Sequence, residues 1–348
     1  MSLEELQRTV FLLGPEKVEL RRVPVPQPRP GEILVKIGAA TTCGTDLKVF
    51  RRGGHPRMLK VPCPFGHELS GTIAALGPGE ARWRIGDRVI VANSAPCGEC
   101  EPCQEGRENL CTDLHYLNGA FAEYIIVPRR FAEKNTHSIP PQLSFEEAAL
   151  TEPLACVLHG IECCELEESS DIAVYGAGPI GLLFVGALVS AGHRVTLADV
   201  NPLRLETGAR LGAAETVRIA AGGGQAESVR VRAKRPSGFD VAIDATGVPE
   251  VWADVIASVR PGGLANLFGG CAPGTKVPLD THTVHYSELT IKGVYHHRPA
   301  TVAAAVQLLA RRAFDARVLL SAERPLEELE EALRSMGRGE ALKIVIRP

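Results

Sequence analysis

Two periodicities divide the chain. From Thr9 to about Ile37 apolar and polar positions alternate around Gly14-Pro15, Pro24, Pro26, Pro28 and Pro30-Gly31, which is the pattern of short strands broken by proline turns. The same signal recurs at 32–37, 70–75, 88–92 and 120–127, so the first part of the chain is predicted to be a mainly antiparallel β domain. From residue 144 the pattern turns helical: Ser144 followed by Glu147 makes a capping box ahead of an apolar stretch that reaches Cys164. Beyond it, strands are predicted at 172–175, 194–198, 216–219, 239–244, 264–268 and 289–295, with helices at 179–191, 202–211, 226–233 and 250–259. Strands alternating with helices at this spacing predict a parallel sheet wound on both faces. Residues 222–225 read as a flexible loop. The tail reads as helices 301–312 and 326–336 and a last strand 343–346 with no helix after it, so it is expected to return to the β domain. The fold class is therefore α/β, with a doubly wound domain over 156–295 and a mainly β domain over 1–155 and 296–348.

Composition narrows the function classes. A chain of 348 residues admits two domains and a large core. The formal net charge of -3 carries no electrostatic footprint for nucleic acid or an anionic membrane, and no run of eighteen apolar residues suggests a membrane span. The start, Met1 to Arg8, lacks the basic and then apolar regions of a secretory leader. A cytoplasmic location is expected, and there the ten cysteines are read as metal ligands or catalytic thiols before disulfides.

Three constellations carry the chemistry. The first is Gly176-Ala-Gly178-Pro179-Ile180-Gly181, between an apolar strand and an apolar helix. Its glycines allow the tight turn, the approach of backbone to a pyrophosphate and close packing of helix on strand. Asp199, 18 residues after Gly181 at the end of the next strand, stands where a ribose-binding carboxylate is expected, and its charge favours NAD over NADP. Thr246 lies at a strand's C-terminal edge, and Arg204 follows Asn201-Pro-Leu at a helix start; both are candidate cofactor contacts.

The second constellation is Cys97, Cys100, Cys103 and Cys111, a C-x2-C-x2-C-x7-C array. Four thiolates over fifteen residues suit a closed, tetrahedral zinc ion with a structural role; an iron–sulfur cluster or a redox thiol pair are the alternatives. The third comprises Cys43 in Thr42-Cys43-Gly-Thr45-Asp46, His67-Glu68 after Gly66, and Glu152 in Thr151-Glu152-Pro153. One thiolate, one imidazole and one carboxylate hold zinc while leaving a fourth position open, which is the catalytic arrangement.

The order of these motifs, together with Phe121-Ala-Glu-Tyr124, Asp244-Ala-Thr-Gly247 and Pro261-Gly-Gly263, resembles the zinc-dependent medium-chain alcohol and polyol dehydrogenases over essentially the whole chain. The sorbitol and threonine dehydrogenase branch is the most similar, because liver-type alcohol dehydrogenases carry a cysteine where Glu152 falls. The resemblance implies a GroES-like catalytic domain, two zinc ions per chain and NAD. It implies Cys43 and His67 as catalytic zinc ligands with Glu68 or Glu152 as the third, the four clustered cysteines on the structural zinc, Thr45 as the hydroxyl that takes the substrate's proton, and Asp46 as support. Many relatives carry a histidine where this chain has Lys48, so the outer proton relay departs from the family pattern. The expected substrate is a small secondary alcohol or polyol, such as a sugar alcohol, an inositol or an anionic hydroxy acid, with threonine as the alternative. His115-Tyr116 and His296-His297-Arg298 are candidate pocket residues. A homodimer or homotetramer is implied by family analogy alone. Competing readings are a dinucleotide-binding relative that has lost turnover, which would want a missing ligand, and a zinc-ribbon nucleic-acid module, which would want a basic aromatic face against the 5% aromatic residues here.

Overall fold

The computed structural model describes residues 6–55, 57–221 and 223–348; the first five residues and Gly222 of the glycine loop lie outside the described residues. The chain packs into two units. The first runs to Ala155 and takes in His297–Arg311 and Ala316–Pro348, and the second comprises Cys156–His296 with Arg312–Asp315.

In the first unit the strand Ile33–Thr41 is central. Seven of its nine residues are buried, since neighbours cover it on both edges: Glu68–Leu76 pairs with it antiparallel along one side, and Tyr124–Val127 and Lys343–Arg347 pair with it, also antiparallel, along the other. The sheet continues outward through Arg88–Val91 to Thr136–Ser138 and, beyond Lys343–Arg347, to Leu320–Pro325, the one parallel neighbour. The tail strand 343–347 thus completes the sheet that begins at residue 33. Val10, Leu12, Ile33, Val35, Phe50, Phe65, Phe121 and Leu333 meet in one core, with the rings of Phe65 and Phe121 edge to face at 5.6 Å.

The second unit is a six-stranded sheet in the spatial order 215–218, 194–199, 171–175, 239–244, 259–267, 290–293, and every pairing is parallel. Its first strand, Asp171–Tyr175, is fully buried from Ile172 onward, as a central strand covered on both faces must be. Several edges differ from the sequence pattern. The helix expected to 259 gives way at Val259 to the strand Val259–Leu267, and residues 120–123 run into the short strand Tyr124–Val127 without pairing regularly. The helix expected from 326 starts at Leu329 after a 3-10 turn, and Leu320–Pro325 is a strand that the pattern did not announce.

Candidate metal centres and the dinucleotide turn

Cys43 is the N-cap of the nine-residue helix Gly44–Arg52. Its Sγ accepts the Thr45 N–H at 3.4 Å, and Asp46 Oδ2 accepts the Cys43 N–H at 2.9 Å. The other oxygen of the same carboxylate, Oδ1, lies 2.9 Å from His67 Nδ1. One buried aspartate therefore fixes both the helix start that carries the thiol and the imidazole tautomer, leaving His67 Nε2 for another partner. His67 reaches its place through Gly66, whose φ of 91° and contact with the Phe121 ring, 2.6 Å from where a Cβ would stand, leave no room for a side chain. The Cys43, His67 and Glu68 donor atoms lie within 4.8 Å of one another.

The two acids occupy different settings. Glu68 is fully buried, and its carboxylate accepts two contacts from Lys343 Nζ, at 2.8 and 2.6 Å, and one from the Thr41 hydroxyl. Lys343 also donates to Thr42 O at 2.8 Å. Burial alone would lower the Lys343 ammonium, but the facing Glu68, Cys43 and Asp46 hold it above its ordinary value. The register puts these groups side by side: Thr41 stands opposite Glu68, and strand 343–347 flanks the end of 33–41. Glu152 sits in the first turn of the helix Thr151–Glu162. It is 93% buried, and its Oε1 is 4.0 Å from His297 Nε2, which lies 3.0 Å from Asn93 Oδ1. Burial raises the Glu152 carboxyl to about 7, against the pull of His67. Desolvation would lower His67, yet Asp46 and Cys43 hold it well above its usual range.

Cys43, His67 and Glu68 thus come together with Asp46 behind them and Lys343 bonded to Glu68, while Glu152 falls in a separate donor group with His297. A divalent cation supplies the charge such a set lacks, and sulfur, nitrogen and oxygen donors are what zinc takes at an open site. Thr45 is half-buried on the same helix. Lys343, Thr41 and Asn93 were not identified by sequence as parts of this centre, and His297 was identified only as a candidate pocket residue. A lysine at the head of an apolar strand, Lys-Ile-Val-Ile, was the available signal for the first.

The other four cysteines form a second group. Their sulfurs stand 3.5 Å (Cys100–Cys103), 3.8 Å (Cys100–Cys111) and 3.9 Å (Cys97–Cys103) apart. Zinc bound tetrahedrally at about 2.3 Å requires sulfur separations of about 3.8 Å, so the group has the size of the ion. Backbone N–H groups of Glu99 and Cys100 point at Cys97 Sγ and that of Cys97 at Cys111 Sγ, arrangements that favour thiolates. All ten cysteines are free thiols.

In the second unit Gly178 caps the helix Pro179–Ser190 with no side chain on its orphan N–H groups. Gly178, Pro179 and Ile180 are half-buried, whereas residues 181–188 are buried. A Cβ on Gly178 would meet nothing within 4 Å, whereas on Gly181 it would lie 1.7 Å from Gly176 O; the first position is open toward a ligand and the second is closed by packing. Gly176, at φ 100°, lies under Thr246, whose Cγ2 would be 2.7 Å from an added Cβ. Thr246 is held by Asp244: Oδ1 accepts its N–H at 2.9 Å and its hydroxyl at 2.6 Å, while Oδ2 accepts Gly247 N–H and Trp252 Nε1–H, both at 3.0 Å. Asp199 Oδ2 accepts the Ala177 N–H at 2.5 Å and Oδ1 the Asn201 N–H at 2.7 Å, which ties the acid to the glycine turn. Arg204 donates its backbone N–H to Asn201 Oδ1 at 3.3 Å. A helix start without a side-chain cap behind Gly176 and Gly178 fits the phosphates of a dinucleotide.

Of the candidate pocket residues, His115 is exposed and bonded to Asp113. His297 is 1% exposed, so it acts on neighbouring side chains rather than presenting a surface. No described helix is long and apolar enough to cross a membrane.

Comparison with known proteins gives the same picture. Residues 29–140 match the alcohol dehydrogenase GroES-like domain and 179–311 the zinc-binding dehydrogenase family. The chain is 32% identical to sorbitol dehydrogenase of Bacillus subtilis (strain 168), covering 100% of this chain and 99% of that one. It is 31% identical to L-threonine 3-dehydrogenase of Stenotrophomonas maltophilia, covering 94% and 95%. Among solved structures, a zinc-binding dehydrogenase of Sinorhizobium meliloti 1021 bound to NADP superposes with a TM-score of 0.88 at 28% identity, covering 99% of this chain and 100% of that one. The chain belongs to the zinc-dependent medium-chain alcohol and polyol dehydrogenases.

Proposed function

We propose that the enzyme oxidises a secondary alcohol or polyol with NAD, the first unit holding zinc and the alcohol and the second the dinucleotide. The observation that carries this is the single Asp46 carboxylate bonded to both Cys43 and His67, in a buried set of acids short of positive charge. Cys43, His67 and Glu152 hold the catalytic ion. Glu68, engaged by Lys343 and Thr41, stands behind it. Cys97, Cys100, Cys103 and Cys111 hold the second ion. Gly176, Gly178, Pro179, Ile180 and Gly181 cradle the pyrophosphate, with Thr246 over the turn, Arg204 near the helix start and Asp199 toward the ribose.

When bound, zinc supplies a Lewis acid, of the kind that lowers the pKa of water from about 15.7 to about 7, and the nicotinamide supplies a hydride acceptor. The Thr45 hydroxyl, on the first turn of the helix that Cys43 caps, would accept the proton that leaves the substrate's OH while giving up its own toward solvent, so that it relays the proton and holds no charge. Burial of Glu152 and His67 keeps water from competing for the donors. The Asp199 carboxylate, which would repel a ribose phosphate, supports NAD over NADP. A small enzyme of this chemistry works alone or as a homo-oligomer, and we propose the latter by analogy with its family.

The test is turnover of neutral polyols, inositols and threonine followed as reduced cofactor, with NAD and with NADP. Neutral or amino alcohols should be oxidised with NAD preferred, and Cys43→Ser should cut kcat about 10³-fold or more, as the several kcal/mol of a lost Lewis acid require, while leaving the melting temperature near that of the parent. Equal use of NADP would reverse the reading of Asp199, and full activity of Cys43→Ser that of the metal centre.

A further inference from the structure

Between Asp46 and Glu68 the chain has no acidic residue, yet it carries Lys48, Arg51, Arg52, Arg57 and Lys60, in a protein whose net charge is -3. The two flanking acids do not answer these cations: Asp46 is spent on Cys43 and His67, and Glu68 on Lys343 and Thr41. On the helix Gly44–Arg52 the buried residues are Asp46, Val49 and Phe50. Thr45, Lys48 and Arg52, at i, i+3 and i+7, share another flank. Lys48 and Arg52 are exposed, and among the described residues neither enters an ion pair or a side-chain hydrogen bond. Arg51 points elsewhere, its guanidinium 2.5 Å from where a Gly337 Cβ would stand.

Structure alone gives no reason for Lys48. Arg52 gains from the helix dipole in the last turn, but Lys48 stands mid-helix, four residues from another cation, where like charges cost about 0.2–0.5 kcal/mol. His55 continues the ridge. Its Nδ1 accepts the Arg57 and Met58 N–H groups at 3.2 and 3.0 Å, so the neutral ring offers only an Nε2–H donor.

We propose that the alcohol accepted here carries an anionic group, a carboxylate or a phosphate, which Lys48 and Arg52 hold while its hydroxyl reacts beside Thr45. The helix rises about 4.5 Å from Thr45 to Lys48 and about 10 Å to Arg52, so the acid sits a few bonds from the reacting carbinol. This rests on the assignment of Cys43, His67 and Thr45 to the reacting centre.

The test compares, with the zinc-loaded enzyme and NAD, a neutral sugar alcohol, the sugar acid of equal chain length and the sugar-alcohol monophosphate. One of the anionic substrates should exceed the neutral one by about tenfold or more in kcat/KM, as a charge-assisted contact provides, and salt should narrow the gap. The two anionic arms decide between carboxylate and phosphate. In Lys48→Met and in Lys48→Met/Arg52→Met the anionic-to-neutral ratio should collapse through KM more than kcat. Independently of turnover, the preferred anion should raise the melting temperature of zinc-depleted parent protein and not of the double variant. Turnover of the neutral alcohol without preference for either anion would overturn the proposal and leave the dehydrogenase reading intact. A rise in KM for NAD instead of the substrate in Lys48→Met would also overturn it, by assigning the ridge to the cofactor's phosphates. No turnover of any alcohol, with no zinc retained at the first centre, would sink both.

Discussion

Glu68 and Glu152 are the same residue type in two electrostatic settings, and the difference decides their roles. Glu152 lies beside His297 and in the field of His67, whereas Glu68 bonds Lys343 and Thr41 directly, so Glu152→Gln should lose the catalytic ion and bring the zinc content from about two per chain to about one, the closed cysteine site being untouched. Glu68→Gln should keep both ions but strand the buried Lys343 ammonium, lowering stability by about 3–5 kcal/mol; elemental analysis and thermal melts on the pair check both. The reverse pattern of zinc loss would make Glu68 the ligand. A pH dependence follows from the same residues. In the metal-free protein Glu152 takes a proton near pH 7 and His67 keeps one above its usual range. Zinc must displace these protons, so its apparent affinity for this centre should strengthen as pH rises through about 7 and weaken below it. Zinc titrations of the depleted protein over a pH series read this directly, and a flat profile would contradict it. The four-cysteine array was legible in the sequence because few residue types ligate zinc and its spacing is local, whereas Cys43, His67, Glu68 and Glu152 lie far apart along the chain and were singled out only through the order of motifs that resembles the family. Lys343 was not legible, since it is 275 positions from Glu68 and only the pairing of the last strand with 33–41 brings the two together.

The βα repeats announced themselves through alternating periods, and the strand 239–244 was legible to its ends. The helix Gly44–Arg52 was not foreseen. It is short, it starts at a glycine, and its cap is a cysteine rather than one of the usual serine, threonine, aspartate or asparagine caps. Its start is encoded instead by Asp46 folding back on the Cys43 N–H. In the second unit Asp244 has a comparable task between two loops. Its carboxylate accepts four donors from Thr246, Gly247 and Trp252, and Thr246 in turn stands over Gly176. In Asp244→Asn an amide NH2 would face donors it cannot serve, at about 1–3 kcal/mol for each one left unpaired. The expected result is a lower melting temperature with a raised Kd for NADH in a fluorescence titration, and unchanged NADH binding would separate Thr246 from the cofactor site.

At the scale of the whole chain, the two cysteine-bearing centres differ in what they hold together. The 97–111 lobe has only two short helical turns, Glu101–Gln104 and Glu108–Leu110, among its loops, too little apolar structure to order itself. Cys100→Ser should therefore lose the closed ion and unfold this lobe first, with a fall in melting temperature and early proteolysis between 97 and 111, whereas Cys43→Ser should fail in chemistry first. A melt indistinguishable from that of the parent would remove the structural role from the lobe. The β unit illustrates why topology exceeded what the pattern conveyed: alternation located most of its strands, but Leu320–Pro325 joins the sheet only through its neighbour 343–347, and the order across the sheet depends on Val345 meeting Thr41 and Ile346 meeting Ala40 from opposite ends of the chain.

The Asp46 carboxylate links occupancy of the first centre to the backbone. Because the oxygen pair that steadies the imidazole also secures the amide at the helix's first turn, emptying the pocket should loosen that turn. Deuterium uptake at residues 43–47 should then quicken on chelation, while the distant turn at 97–111 responds only when its own cation departs.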